Sequence, residues 1–327
     1  MPMRYWVLLL LLPALALAQT PLPELKLIAE YPVQDMHGGN LSGLAVCQGT
    51  LQAVSDRDDQ QLYHLHLQDG VFQAQAEEFI PPPAAHALLP WGLRVRNQVV
   101  SWVRGGFYDF EGLSCDAQGN RYLVSETLAA VLMLPPNGPA QWLNLPSSLL
   151  RQARASGMLL NVNQGFEGIA VNPSASQLWL AAEQRRRGLL TVHKRGNNWN
   201  CAGGCVLLSE PEQAVAPAGH AHRSGPEDFS GLAFFAEKLF TLERQSHRIC
   251  RRNLERGETE RCWSFAQLAL EQRPAYSAPY GLSEALWIDT EGAWVGLDNG
   301  ALRRADGEQR PIVWRLAAPA GGWSAKP

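Results

Sequence analysis

The sequence predicts an all-β fold: a β-propeller of five recognisable blades, with room for a sixth and with short helical insertions. Three observations predict it. First, one plan recurs five times: a polar residue, a glycine, an apolar run, a turn, a second apolar run and a closing acid. The copies are Asn40–Asp56 (NLSGLAVCQGTLQAVSD), Asp109–Glu126 (DFEGLSCDAQGNRYLVSE), Asn163–Glu183 (NQGFEGIAVNPSASQLWLAAE), Asp228–Glu243 (DFSGLAFFAEKLFTLE) and Tyr280–Asp298 (YGLSEALWIDTEGAWVGLD), the last with Ala285 in the glycine position. They recur every 54–69 residues, and the closing acid follows the glycine position by 12–15 residues. Such regularity marks a repeat architecture. Second, each copy reads as two strands, with turn residues at Gly49, Gly119, Pro173 and Gly292. Third, one hairpin cannot bury a core alone, so the five must stack around an axis.

An antiparallel hairpin starts and finishes at the same end. The paired positions Ser42/Asp56, Glu111/Glu126, Glu167/Glu183, Ser230/Glu243 and Glu284/Asp298 therefore face one side. The glycine after the first of each pair fits a crowded inner rim where backbones approach closely.

The remaining elements follow in order. Glu24–Val33 reads as a strand that completes the last blade beside Pro311–Leu316. Gln61–Leu67 and Val71–Phe79 are outer strands around Asp69-Gly70. Pro81–Trp91 is a proline-rich loop, and the strand Val95–Val103 is what a degenerate sixth blade would use. Val131–Leu134 and Ala140–Leu143 follow unit two. Pro146–Gly157 is a helix capped by Ser147 or Ser148, with Leu149, Leu150 and Ala153 on its apolar face and Gly157 at its end. Leu189–Lys194 and Cys205–Leu208 are outer strands of unit three. Val215–Asp228 is a small, polar loop, Phe265–Gln272 a short helix, and the chain from Ala317 a loose tail.

Met1–Ala18 reads as a secretory signal: Arg4, the apolar run Tyr5–Leu12, and a cleavage site after Ala16-Leu17-Ala18. The run is too short to span a membrane. Losing Arg4 takes the formal net charge from −3 to −4. The mature domain is then residues 19–327, a periplasmic or secreted protein expected to be monomeric. With no basic stripe, nucleic acid is excluded as a partner. Six cysteines suit an oxidising compartment. Cys250 and Cys262 flank a turn, Cys201 and Cys205 enclose a tight loop, and Cys47 and Cys115 either pair or are buried thiols. Their spacing is not that of a zinc site.

The runs DFEGLS…YLVSE, NQGFEGIAVNP…LWLAAE and Asp298-Asn299-Gly300 resemble the phytase-like family described as "esterase-like activity of phytase". They are also similar to the SdiA-regulated periplasmic propellers. NQGFEGIAVNP preceded by LPSSLLRQ is the closest resemblance, which extends through all five units. It implies a β-propeller, export, and calcium-dependent hydrolysis of phosphate or carboxylic esters. By position it puts the acids at Glu111, Glu126, Glu167, Glu183, Glu243 and Asp298. Ser42, Ser230 and the shifted Glu284-Ala285 depart from the pattern.

Carboxylates gathered on one face suit a hard cation, calcium first and magnesium second. The candidate ligands are Asp56, Glu111, Glu126, Glu167, Glu183, Glu243 and Asp298, with Glu111 and Glu167 also as catalytic carboxylates. His220 and His222, in the loop that leads into unit four, are candidate general acids or bases. Arg57, Arg185 and Arg244 follow closing acids and can grip a small anionic or ester substrate bidentately. The incomplete Gly281–Ala285 motif argues against a serine nucleophile. The alternative is a non-enzymatic propeller, stabilised by calcium, that binds a protein or cell-envelope ligand. A lactonase-like use of Asn40, Asn163 and Asn299, and a quinone-dependent dehydrogenase, are more distant readings.

Overall fold

The computed structural model describes residues 21–325, except 37–38, 84–91, 93–94, 96–105, 162–164, 184–185, 212–213, 216–224, 272–275, 277–281 and 301. The five repeats become five blades of antiparallel strands, those of blades 1 and 5 joined through β1 (Leu27–Gln34) into one eight-stranded sheet. Blade 1 holds β2 (Gly43–Cys47), β3 (Thr50–Val54), β4 (Gln61–Gln68) and β5 (Val71–Glu78), after β1. Blade 2 holds β6 (Phe110–Cys115), β7 (Arg121–Ser125), β8 (Ala130–Leu134) and β9 (Gln141–Trp142). Helix α1 (Ser147–Ala155) precedes blade 3: β10 (Phe166–Val171), β11 (Gln177–Ala182), β12 (Arg186–Arg195), β13 (Asn198–Asn200) and β14 (Val206–Pro211). A two-stranded ribbon, β15 (Ala214–Val215) and β16 (Gly225–Pro226), leads to blade 4: β17 (Gly231–Phe235), β18 (Lys238–Glu243), β19 (Arg248–Arg252) and β20 (Thr259–Ser264). After α2 (Ala266–Leu270) come β21 (Ser283–Ile288), β22 (Gly292–Leu297) and β23 (Ile312–Ala317) of blade 5, whose fourth strand is β1.

The inner strands pack β2 on β6, β6 on β10, β10 on β17, β17 on β21, and β21 back on β2. The ring thus closes on five blades. The strand expected at Val95–Val103 lies outside the described residues apart from Val95.

The recurring glycines explain the closure. A Cβ on Gly43 would lie 2.7 Å from the Leu113 amide nitrogen, one on Gly168 2.9 Å from the Leu232 Cβ, and one on Gly231 2.8 Å from the Glu284 carbonyl oxygen. Each contact is with the next blade. Only a residue without a side chain lets two inner strands approach this far. Ala285 holds the equivalent place in blade 5 and is buried beside Leu41 and Leu44. Gly168→Ala is therefore expected to cost about 1–3 kcal/mol by overpacking, read as a lower denaturation midpoint. Ala285→Gly should cost less than about 1 kcal/mol. Equal effects at the two positions would refute the close-approach explanation.

The N-terminal segment ties the ring shut. Glu24 bridges β20 of blade 4, with the Leu25 N–H donating to the Ser264 carbonyl at 2.7 Å. β1 then pairs antiparallel with β23 and, through Val33 and Gln34, parallel with β5. One segment thus fastens blades 4, 5 and 1.

Three local expectations are corrected or resolved. Residue Pro146 caps α1 without a side-chain hydrogen bond, and neither Ser147 nor Ser148 does so. Ser148 instead lies 3.2 Å from Cys201 Sγ. Leu149, Leu150 and Ala153 are buried, and Gly157 takes a left-handed φ of 85° at the helix end. The tail is not loose: Trp323 is 3% exposed, its ring packs on Phe240 and Trp263, and its Nε1 donates to the Asp289 carbonyl at 2.9 Å. All six cysteines pair, as Cys47–Cys115, Cys201–Cys205 and Cys250–Cys262. The first of these links the inner strands of blades 1 and 2.

Candidate active site

The inner strands are not all regular at their starts. In blades 2, 3 and 5 the register slips across Phe110/Gly112, Phe166/Gly168 and Ser283/Ala285. The extra, unpaired residues are Glu111, Glu167 and Glu284. A bulge bends the strand and re-aims its side chain, and all three glutamates line a narrow cavity on the propeller axis with Ser42. Blades 1 and 4 carry Ser42 and Ser230 at this place and have no bulge.

The second position of each repeat follows from register. Gly43, Gly112, Gly168 and Ala285 pair with Val54, Val124, Ala181 and Gly296. Two residues beyond these partners lie Asp56, Glu126, Glu183 and Asp298. In blade 4, Gly231 pairs with Leu242, so the residue two beyond is Arg244. Glu243 is one residue short. Side chains alternate along a strand, so a shift of one sends Glu243 to the opposite face.

The structure thus separates Glu243 from the other candidate ligands. It is fully buried and paired with Arg252 at 2.6 Å, Arg248 at 2.5 Å and Arg187 at 3.0 Å. Burial pushes its carboxyl up, but Arg252, Arg187 and Arg248 outweigh that and hold it down at about 2. An acid satisfied this way is a structural counter-ion.

Arg244 is not placed to grip a substrate. Its Nε donates to Asp228 at 2.7 Å, its Nη2 to Glu183 at 2.8 Å, and its Nη1 to Glu284 Oε1. All three donor nitrogens are committed within the protein, and the three acids come from blades 3, 4 and 5.

Two carboxylate trios flank the axis. One oxygen each from Asp56, Asp109 and Glu111 lie within 4.8 Å of one another, and so do those from Glu126, Glu167 and Glu183. Asp56 accepts from Asn40 Nδ2 at 2.8 Å and from Arg57 Nε at 3.2 Å, and Glu126 accepts from the Gly165 N–H at 3.0 Å. Burial pushes Glu111 well up, reinforced by Asp109, Asp56, Glu126 and Glu284. Burial likewise raises Glu167, with Glu183, Glu111, Glu126 and Glu284 adding to it. Glu284 is pushed up to about 8 by burial, against the pull of Arg244. Burial and then Asp56 raise Asp298 to about 6. Like charges at this spacing in a buried setting do not all ionise without added positive charge.

Asp109, Asp228 and Glu284 were not among the sequence-derived candidates. A signal existed for the first two: Asp-Phe stands two residues before the inner position in both units (Asp109-Phe110, Asp228-Phe229). The phenylalanines are fully buried and anchor the aspartates at the face. Asp109 adopts φ 55°, a left-handed conformation that aspartate tolerates better than most residues. Arg185, His220, His222 and Asn163 lie outside the described residues.

A family model for phytase-like proteins, described as esterase-like activity of phytase, matches residues 37–198. Over these residues the chain is similar to the phytase-like family. The matched stretch contains blades 1 and 2, the first three strands of blade 3 up to the start of β13, and both trios. No curated protein matches the chain in sequence. Among solved structures, Myxococcus xanthus glutaminyl cyclase is similar, at 11% identity and a TM-score of 0.51, over 91% of this chain and 97% of that one. At such identity the likeness shows the fold alone. Looser matches are a chain of the nidogen/laminin complex (14% identity, TM-score 0.44, 85% of this chain and 84% of that one) and the PQQ-bound aldose sugar dehydrogenase of Streptomyces coelicolor (12%, 0.45, 90% and 98%).

Proposed function

We propose that this phytase-like propeller is an exported, calcium-dependent hydrolase of phosphate or carboxylic esters, working at the acidic face. The observation that carries the proposal is the pair of trios with crowded, mutually repelling carboxylates. Their donors suit the ion. All are hard oxygens, and oxygens on a calcium at 2.3–2.6 Å lie at most about 5 Å apart, against the 4.8 Å spread in each trio. Asp56, Asp109 and Glu111 would hold one ion, and Glu126, Glu167 and Glu183 another. A bound ion would polarise the ester or phosphoryl oxygen and lower the pKa of a water.

The chain's own residues supply the rest. Asn40 and Arg57 fix the Asp56 carboxylate, and the Gly165 amide fixes Glu126. Arg244 holds Glu183 and Glu284 in place across blades 3 and 5. Arg57 is 37% exposed in its side chain, so its outer edge can meet an anionic substrate. Glu111 and Asp56 are only partly buried, whereas Glu126, Glu167 and Glu183 are buried, which makes the first trio the one within reach of a substrate or attacking water. Export is supported by the signal-like Met1–Ala18 segment and by the three disulfides. Among the described residues, no helix is long and apolar enough to cross a membrane.

The test is hydrolysis of aryl phosphate and aryl acetate esters with calcium and with chelator. Losing an outer-shell partner already costs roughly 10–100-fold, so Glu167→Gln, which removes a direct ligand, should cut turnover by at least about 100-fold. A calcium-dependent rise in Tm with no turnover on any ester would replace this reading with that of a calcium-stabilised binding propeller.

A further inference from the structure

We propose that Phe107, working beside Arg57, sets the substrate class: an anionic ester that carries an aromatic ring, such as an aryl phosphate, in preference to the phosphate of a small polyol. The inference rests on the reading of the acidic face as the working face and names what that face takes. Phe107 is a large apolar side chain left 39% exposed. A single exposed apolar residue is ordinary. Its place and the way it is held set this one apart.

The backbone at Phe107 ties together the stretches that supply the first trio. Asp109 lies two residues on. The N–H groups of Phe107 and Tyr108 both donate to the Asp59 carboxylate, the second at 2.6 Å, and Asp59 stands three residues after Asp56. From the other side, Thr127 Oγ1 donates to the Phe107 carbonyl at 2.8 Å. Gly106 takes φ 76°, and a Cβ there would run into the Asp56 carbonyl and crowd the Arg57 Cα. The segment that carries the ring is thus pressed onto the backbone of Asp56 and Arg57.

The ring itself is backed by other rings. Phe107 meets Tyr108 edge-on at 5.0 Å, and Tyr108 rests against Trp142 at 5.3 Å and Phe110 at 5.8 Å. Phe110 is fully buried, so Phe107 is the exposed end of an aromatic column rooted in the core. A side chain held at its backbone and on its inner side loses little freedom when a second ring packs on it. Arg57, with its side chain 37% exposed, adds a guanidinium suited to a phosphate. A ligand with one anionic head and one flat apolar body uses both groups. A polyol would set hydroxyls against the Phe107 ring, which cannot replace the hydrogen bonds they make to water.

The probes are phenylphosphonate and methylphosphonate, whose carbon–phosphorus bonds make them inert mimics of an aryl and an alkyl phosphate. Calorimetry on the full chain with calcium present should show phenylphosphonate binding at least about tenfold more tightly, as one stacked ring and its buried area imply. Phe107→Ala should bring the ratio to about one, and Phe107→Tyr should keep it. The bonds to Asp59 and Thr127 are main-chain bonds, so the alanine variant retains them. The ratio of kcat/KM for phenyl phosphate over glycerol phosphate should follow the same order. Crystals of the wild type soaked in phenylphosphonate should place its ring about 4.5–7 Å from the Phe107 centroid, a readout that depends on no variant. Equal affinity for the two probes in the wild type, binding of neither, or a preference kept by Phe107→Ala overturns the inference. Turnover without an aryl preference removes this inference and leaves the hydrolase reading standing. An aryl preference in binding without turnover does the reverse.

Discussion

Glu243→Gln is expected to destabilise the protein by about 3–5 kcal/mol, the usual effect of removing one partner of a buried ion pair. Glu243 is fully buried and touches three guanidiniums. Arg252 is itself fully buried, and it and Arg187 both stack on the Phe229 ring, at 4.8 and 4.5 Å. Glutamine keeps the shape but removes the charge, leaving Arg252, among the described residues, with no carboxylate nearer than Glu210, 3.9 Å from its Nη1. Arg187 keeps Glu210 and Glu227 at 2.7 and 2.8 Å, so it is less affected. Urea denaturation gives the stability. The same variant should bind calcium as wild type does, because register turns Glu243 away from the axis. Lost calcium binding in a folded Glu243→Gln protein would contradict that assignment.

With calcium chelated, Tm is expected to rise as pH falls from about 8 to about 5. Glu284 sits at about 8 in the fold against an ordinary 4.5, and Asp298 at about 6 against 3.8. Both are raised, so the native state binds more protons than the unfolded chain. Stability from each is complete below its ordinary value and disappears as pH climbs through its folded value. Glu284 acts between pH 4.5 and 8, and Asp298 between 3.8 and 6. Glu111 and Glu167 act in the same direction. Glu243 works oppositely: it is depressed to about 2, so its contribution is present above pH 4.5 and fades as pH falls toward 2. The curve should therefore peak near pH 5. A difference of about 3 kcal/mol between pH 5 and 8 corresponds to roughly 5 °C in Tm. Glu284→Gln should flatten the alkaline limb, and saturating calcium should flatten or reverse it, because the cation favours the ionised carboxylates. A Tm that rises steadily toward pH 8 in chelator would show that the acidic face is already neutralised by the protein.

The repeat plan carried most of the fold. A polar residue, a glycine and a closing acid at near-constant spacing marked the inner hairpin of every blade, because that hairpin's chemistry is local: turn residues, strand alternation and a glycine where backbones meet. The closing of the ring by Glu24–Val33 beside the last strand was legible for a related reason, since an unpaired strand at each end of a repeat array has only the other to pair with. The helix before unit three was also legible from its own apolar face. Its cap was not, because the cap position falls on Pro146, which has no side-chain group to bond the helix start, and Ser148 meets Cys201 instead.

The candidate site was legible as a face and not as an arrangement. Sequence alone determined that the face is acidic, but it also put Glu243 of blade 4 on that face, where the structure has Arg244. Tertiary structure decided the rest. Glu243 and Arg244 exchange roles by one residue of register, a difference that appears only once Gly231 is paired with Leu242. Glu284 gains its place from a bulge, which depends on the partner strand as well as its own. Asp109 and Asp228 enter because a buried phenylalanine anchors each. Composition and spacing specify hairpins because those are made within some 15 residues. Which of two neighbouring side chains faces the axis depends on pairing between strands and packing between blades, and only the closed ring imposes both.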